Sequence, residues 1–153
     1  MRVALLLLLL GLAGCDGAAA RFIDTARDTH AKADALARSG DPRSAARLLE
    51  DLVARPAPAG IAPQDRRVLL QDAYARLADL ALKAGEPARA RDFAAAGLAL
   101  GEGHDVFSAS LLALRGHAQE ALGQDAEAAR DYEAAQRIAE ELLNQVLADG
   151  GSP

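Results

Sequence analysis

Side chains able to do chemistry are sparse in this chain. It holds one cysteine and three histidines, His30, His104 and His117. Two imidazoles four residues apart on a helix can share a metal ion, and no pair here has that spacing. Glu102, His104 and Asp105 form the one short polar cluster in a loop-like stretch, and only there do the residue types suit a cation. Gly101-Glu-Gly103 lacks the further glycine, lysine and preceding strand of a phosphate loop. No serine sits in a Gly-x-Ser-x-Gly elbow. Glu140 and Glu141 are neighbours on a helix and so point in different directions, unlike a paired acid and base. An active site needs a concave pocket with perturbed groups, and none of these groupings promises one. The sequence therefore argues against an enzyme, a cofactor or a metal site.

The single cysteine, Cys15, can form neither an internal disulfide nor a multi-cysteine zinc site. Its place in the chain is informative. Met1-Arg2 is a minimal positive start, and Val3 to Leu12 is apolar apart from Gly11. That run has the length of a signal-peptide core and falls short of the roughly 20 apolar residues of a spanning helix. Leu12-Ala13-Gly14-Cys15 follows directly: an aliphatic residue, two small ones, then the thiol. This order resembles the lipobox of bacterial lipoproteins. The resemblance implies cleavage before Cys15, acylation of its thiol and an anchor in a membrane of the cell envelope, on the periplasmic side. Two acyl chains already anchor stably at about 0.8 kcal/mol per buried methylene. An alternative is ordinary secretion with cleavage near Ala18-Ala19-Ala20. In enteric bacteria an aspartate after the cysteine resembles an inner-membrane retention signal, so Asp16 leans toward that membrane.

The composition points to helices. Alanine, leucine, arginine, glutamate and glutamine dominate, and these favour helix. Aromatics make up 3% and tryptophan is absent, so strands have little support. The formal charge is −5, and removal of residues 1–14 would take away Arg2 and no acid. Such a chain lacks the basic footprint of a nucleic-acid binder.

Three triplets punctuate the chain: Gly40-Asp41-Pro42, Gly85-Glu86-Pro87 and Gly123-Gln124-Asp125. Glycine suits the left-handed position that ends a helix, and aspartate and proline suit the start of the next. Each triplet reads as the tight turn of an antiparallel helix pair. Looser breaks fall at Pro56-Ala-Pro58-Ala-Gly60 and at Gly101 to Asp105, where Asp105 is a plausible N-cap. The expected helices are 21–39, 42–55, 64–84, 87–100, 105–122 and 125–148. Only residues 16–20 before them lack a helical pattern, a tether reaching roughly 17 Å if extended, and residues 150–153 read as a disordered tail. Apolar stripes expected in the core are Tyr74, Leu77, Ala78 and Ala81; Phe107, Leu111, Leu114, Ala118 and Leu122; and Ala128, Tyr132, Ala135, Leu142 and Val146.

The pairs share a register. Seven residues before each turn glycine stand Ala33, Ala78 and Gly116; five after, Ala45, Ala90 and Ala128; nine after, Leu49, Ala94 and Tyr132. This pattern resembles the tetratricopeptide repeat, a helix–turn–helix unit of 34 residues. The third pair matches best. The first departs, with Thr29 and Lys32 where an aromatic and a leucine are usual, and the glycines lie 45 and then 38 residues apart. The resemblance implies an all-α fold of three stacked helix hairpins; a plain six-helix bundle is the alternative. It also implies a concave face built from the first helix of each pair. By register that face would carry Arg27, His30, Asp34 and Arg38, then Asp72, Asp79 and Lys83, then His117 and Glu120. It lacks the lysine and asparagine set with which some members clamp a terminal carboxylate. The expected function is a membrane-tethered module that binds a protein partner. The alternative is a structural, self-associating lipoprotein, with a homo-oligomer as its product.

Overall fold

The computed structural model describes residues 13–101 and 103–150. Residues 1–12 of the expected signal peptide 1–14, Glu102, and residues 151–153 of the expected tail 150–153 lie outside the described residues. Six helices follow in order: α1 (Ala13–Arg38), α2 (Pro42–Ala54), α3 (Pro63–Lys83), α4 (Pro87–Leu98), α5 (Val106–Ala121) and α6 (Asp125–Gly150). The fold is all-α, as the composition requires.

The expected turns all form, and by one mechanism. Gly40, Gly85 and Gly123 have φ of 89°, 75° and 71°, a left-handed conformation that side chains resist. The residue after each glycine donates its N–H back across the turn, Asp41 to Leu36 O, Glu86 to Ala81 O and Gln124 to Gln119 O, each at 2.9 Å. These bonds satisfy carbonyls that a helix end leaves open. Asp41 then caps α2, accepting from Ser44 N at 3.1 Å. Asp105 caps α5, accepting from Phe107 N and Ser108 N. Glu86 makes no side-chain cap, so proline at the first position of α4 sets that start alone.

The turns fold the chain into three antiparallel hairpins, α1–α2, α3–α4 and α5–α6, which stack in sequence order. Ala33, Ala78 and Gly116 on the first helices of the hairpins and Ala45, Ala90 and Ala128 on the second are all buried, and Gly116 packs against the Tyr132 ring of α6. Small residues there let the backbones approach. One apolar cluster joins the first hairpin to α3 through Ala26, Ala33, Leu49, Leu52, Ala73 and Leu77. Another joins the second to α5 through Ala78, Ala94, Leu98, Leu111 and Leu112.

Two expectations need correction. Residues 16–20 are helical, not an extended tether, because α1 runs through them. Ala18 to Ala20 are strong helix formers, Ala19 is buried, and extending a helix that is already nucleated needs little. The core stripes also overreach at their ends. Leu122 and Val146 are 37% and 68% exposed. Leu122 sits at the turn, and Val146 lies where α6, 26 residues long, has run past the 16-residue α5.

Candidate functional site

α1 and α3 lie side by side as the first helices of neighbouring hairpins. Between them and the start of α2 lies a groove of about 620 Å³. Its walls are apolar at Ala33, Ala37, Leu49 and Leu80, and its charged groups are Asp34, Arg38, Arg76, Asp79 and Lys83. Sequence register placed Asp34, Arg38, Asp79 and Lys83 on one face, and the structure brings them to this one groove. His30 and Asp72 stand next along the same pair of helices.

The charges are ordered. Nδ1 of His30 lies 2.8 Å from Asp72 Oδ2. Arg76 donates from Nε to Asp72 Oδ1 at 3.1 Å and from Nη1 to Asp34. This four-residue chain crosses from α1 to α3 twice. His30 is 8% exposed, and its Nε2 is buried with no hydrogen-bond partner among the described residues. Burial pushes the Asp72 carboxyl up, but the hydrogen bond from His30 and the charge of Arg76 outweigh it, so its pKa falls below the usual value. Burial likewise works against the Arg76 charge, and Asp34 and Asp72 more than offset it. At the turn end Lys83 donates to Asp79 at 2.6 Å. Each acid of the groove therefore has a partner. Arg38 is exposed and forms no ion pair among the described residues.

The remaining expected face residues go elsewhere. Arg27 is exposed and outside the groove. Glu120 accepts from Tyr132 Oη at 2.8 Å, and the His117 ring meets Tyr132 edge-on at 5.5 Å. Both thus turn to their own hairpin partner, α6. Burial and then the bond to Glu120 push the Tyr132 hydroxyl up to about 12. Reasoning from register missed Arg76, although its spacing of four from Asp72 was a usable signal for an ion pair on one helix face.

Of the loop cluster, Glu102 lies outside the described residues, and the other two members are engaged elsewhere. Asp105 is taken up by the α5 cap and by Arg67 at 2.6 Å. His104 Nδ1 reaches across to Glu141 at 2.5 Å. Among the described residues no group of three histidine, cysteine or acidic side chains is placed to hold a metal. None of the described helices is long and apolar enough to cross a membrane. No family model matches the chain, and neither curated proteins nor solved structures give a match.

Proposed function

We propose that the chain is a membrane-tethered protein-interaction module of the bacterial cell envelope, holding its partner in the groove between α1 and α3. The observation that carries this reading is the convergence of Asp34, Arg38, Asp79 and Lys83 on an apolar floor of about 620 Å³. Pockets that bind are concave and largely apolar, with a few placed polar groups. A partner helix or peptide would put apolar side chains against Ala37 and Leu80 and set its charges against the rim. The tetratricopeptide-like register supports the same face, since its small residues are buried in all three hairpins. The lipobox-like Leu12-Ala13-Gly14-Cys15 supports the tether, and Asp16 favours the inner membrane.

One experiment tests both halves. The full chain is crosslinked in its native membrane and its partners are identified, for the wild type and for Asp79→Lys, Glu120→Lys and Cys15→Ser. Asp79→Lys is expected to lose a partner that Glu120→Lys retains, because Glu120 faces Tyr132 and not the groove. Cys15→Ser is expected to leave the membrane fraction. An Asp79→Lys partner list identical to the wild type's would sink the groove, and a membrane-bound Cys15→Ser would sink the anchor.

A further inference from the structure

The three turns sit at one end of the stack. Gly40 and Pro42 of the first turn share a groove with Lys83 at the end of α3, and Pro42 shares another with Ala84 and Glu86 of the second turn. Ala81 and Ala90, beside the second turn, pack with Ala118 beside the third. At the opposite end Arg67, near the start of α3, reaches Asp105 at the start of α5, and His104 reaches Glu141 of α6.

α1 and α6 both run past that opposite end. Each has 26 residues, while their hairpin partners α2 and α5 have 13 and 16. At about 1.5 Å per residue, Cys15 stands roughly 34 Å along α1 from Arg38, and Leu147 roughly 33 Å along α6 from Asp125. The two projections leave the same end of the stack and have the same reach. One carries Cys15. The other carries Leu143, Val146 and Leu147, which with Val106 are four of the five exposed large apolar side chains among the described residues; the fifth, Leu122, sits at a turn. Farther back along α6 the exposed side chains include Glu133, Gln136, Arg137 and Glu140. A terminal repeat needs a polar outer face for solubility, and α6 departs from that only in its projection. Exposed apolar patches commonly mark contact sites, and the surface nearest this one is the membrane that would hold Cys15.

We infer that the projecting end of α6 is a second membrane contact, which sets Leu143, Val146 and Leu147 into the headgroup region of the bilayer that anchors Cys15. This rests on the tether proposed above and not on the groove. Three side chains alone would hold a bilayer weakly. A lipid on Cys15 makes their contact intramolecular, at an effective concentration of about millimolar. No described helix is long and apolar enough to cross a bilayer, so the contact is interfacial. Glu140, Glu141 and Asp149 flank the stripe, and only Arg137 offsets them. The surface that fits is therefore one of zwitterionic lipid, since anionic headgroups would repel these acids. Two contacts on one membrane stand the helices upright, with the three turns and the turn end of the α1–α3 groove facing away from the bilayer.

The chain has one cysteine and no tryptophan, which makes a direct test available. The chain from Cys15 onward, which keeps all six helices, is coupled through that thiol to a maleimide phospholipid in phosphatidylcholine vesicles. Leu147→Trp reports on the projection and Ser39→Trp on the turn end. A side chain seated roughly 5–10 Å into the interface is expected to lose about half its emission to brominated phosphatidylcholine. Trp at position 147 should show that loss, and Trp at position 39 should show none. Adding Leu143→Asp and Val146→Asp to Leu147→Trp should abolish it. No quenching at position 147 would overturn the inference, as would equal quenching with the two aspartates present, or quenching at position 39 as strong as at 147. A blue shift at position 147 that grows with protein density, without quenching, would mean that a second copy covers the stripe and would overturn it too. The coupling supplies the tether chemically, so these outcomes are separate from failure of the anchor, which the fractionation of Cys15→Ser reads.

Discussion

The Cβ that Gly116 lacks would stand 2.7 Å from Tyr132 Cε1, closer than side chains tolerate. The tyrosine ring cannot simply swing away, because its hydroxyl is tied to Glu120 and its edge to His117. Gly116→Ala should therefore cost about 1–3 kcal/mol, the usual range for overpacking, despite the gain in helix propensity. Urea unfolding measures it, and adding Tyr132→Leu should recover most of the loss by vacating the space. Asp72 carries a different kind of constraint. Its folded pKa lies below the ordinary aspartate value of 3.8, so its bonds to His30 and Arg76 contribute fully above that value. The contribution is lost as pH falls below 3.8 through the folded pKa. Asp72→Asn should cost about 1–2 kcal/mol at pH 7, within the range for hydrogen bonds to charged groups. That deficit should begin to shrink in unfolding experiments as pH falls below 3.8 and should vanish once pH is below the folded pKa.

The second and third hairpins are joined by a polar pin as well as by their apolar cluster. Arg67, near the start of α3, donates to Asp105 at 2.6 Å, to Gln71 at 3.0 Å and to the carbonyl of Gly101 at 3.3 Å. Gln71, fully buried, donates to the carbonyls of Gly97 and Gly101. Together they hold the end of α4, the loop and the cap of α5 against α3. Arg67→Ala strips one partner from a half-buried carboxylate that keeps its two backbone donors, and should cost about 2 kcal/mol, within the range for hydrogen bonds to charged groups. Arg67→Lys should recover less than half, since an ammonium lacks the planar fork; thermal unfolding of both variants checks the order. None of this pin was legible in the sequence. Gln71 and Arg67 are ordinary helix-surface types, and only the crossing of α3 with the α4–α5 loop gives them partners. The hairpins were legible because their signals are local: a glycine that can turn left-handed and a proline or aspartate that can start a helix. The groove was legible in part. Register put Asp34, Asp79 and Lys83 on one face, but it also put His117 and Glu120 there, because it cannot see that Tyr132 draws them toward α6.

The two junctions of the stack differ in how they resist solvent. Between the second and third hairpins the charged pin is shielded, with the Arg67 side chain 13% exposed. Between the first and second, His30 to Asp72 is shielded on the histidine side, at 11% exposed, but Arg76 to Asp34 and Arg89 to Glu50 have side chains 31% to 50% exposed. Two open grooves flank that junction, the one under Arg38 and a second of about 490 Å³ lined by Arg47, Arg89 and Phe93. Exposed pairs contribute about 0–1 kcal/mol each and are screened by salt, whereas shielded ones are screened much less. In a stacked array each hairpin is stabilised chiefly by its neighbours, so the first hairpin, with one neighbour and a screened junction, should open first. Raising sodium chloride from about 0.1 M to about 1 M, which shortens the Debye length from about 10 Å to about 3 Å, should speed amide exchange in α2 severalfold. Exchange in α4 and α5 should change by less than half as much. Equal acceleration across all three hairpins would mean that the chain opens as one unit, and that the groove between α1 and α3 has no freedom of its own to admit a partner.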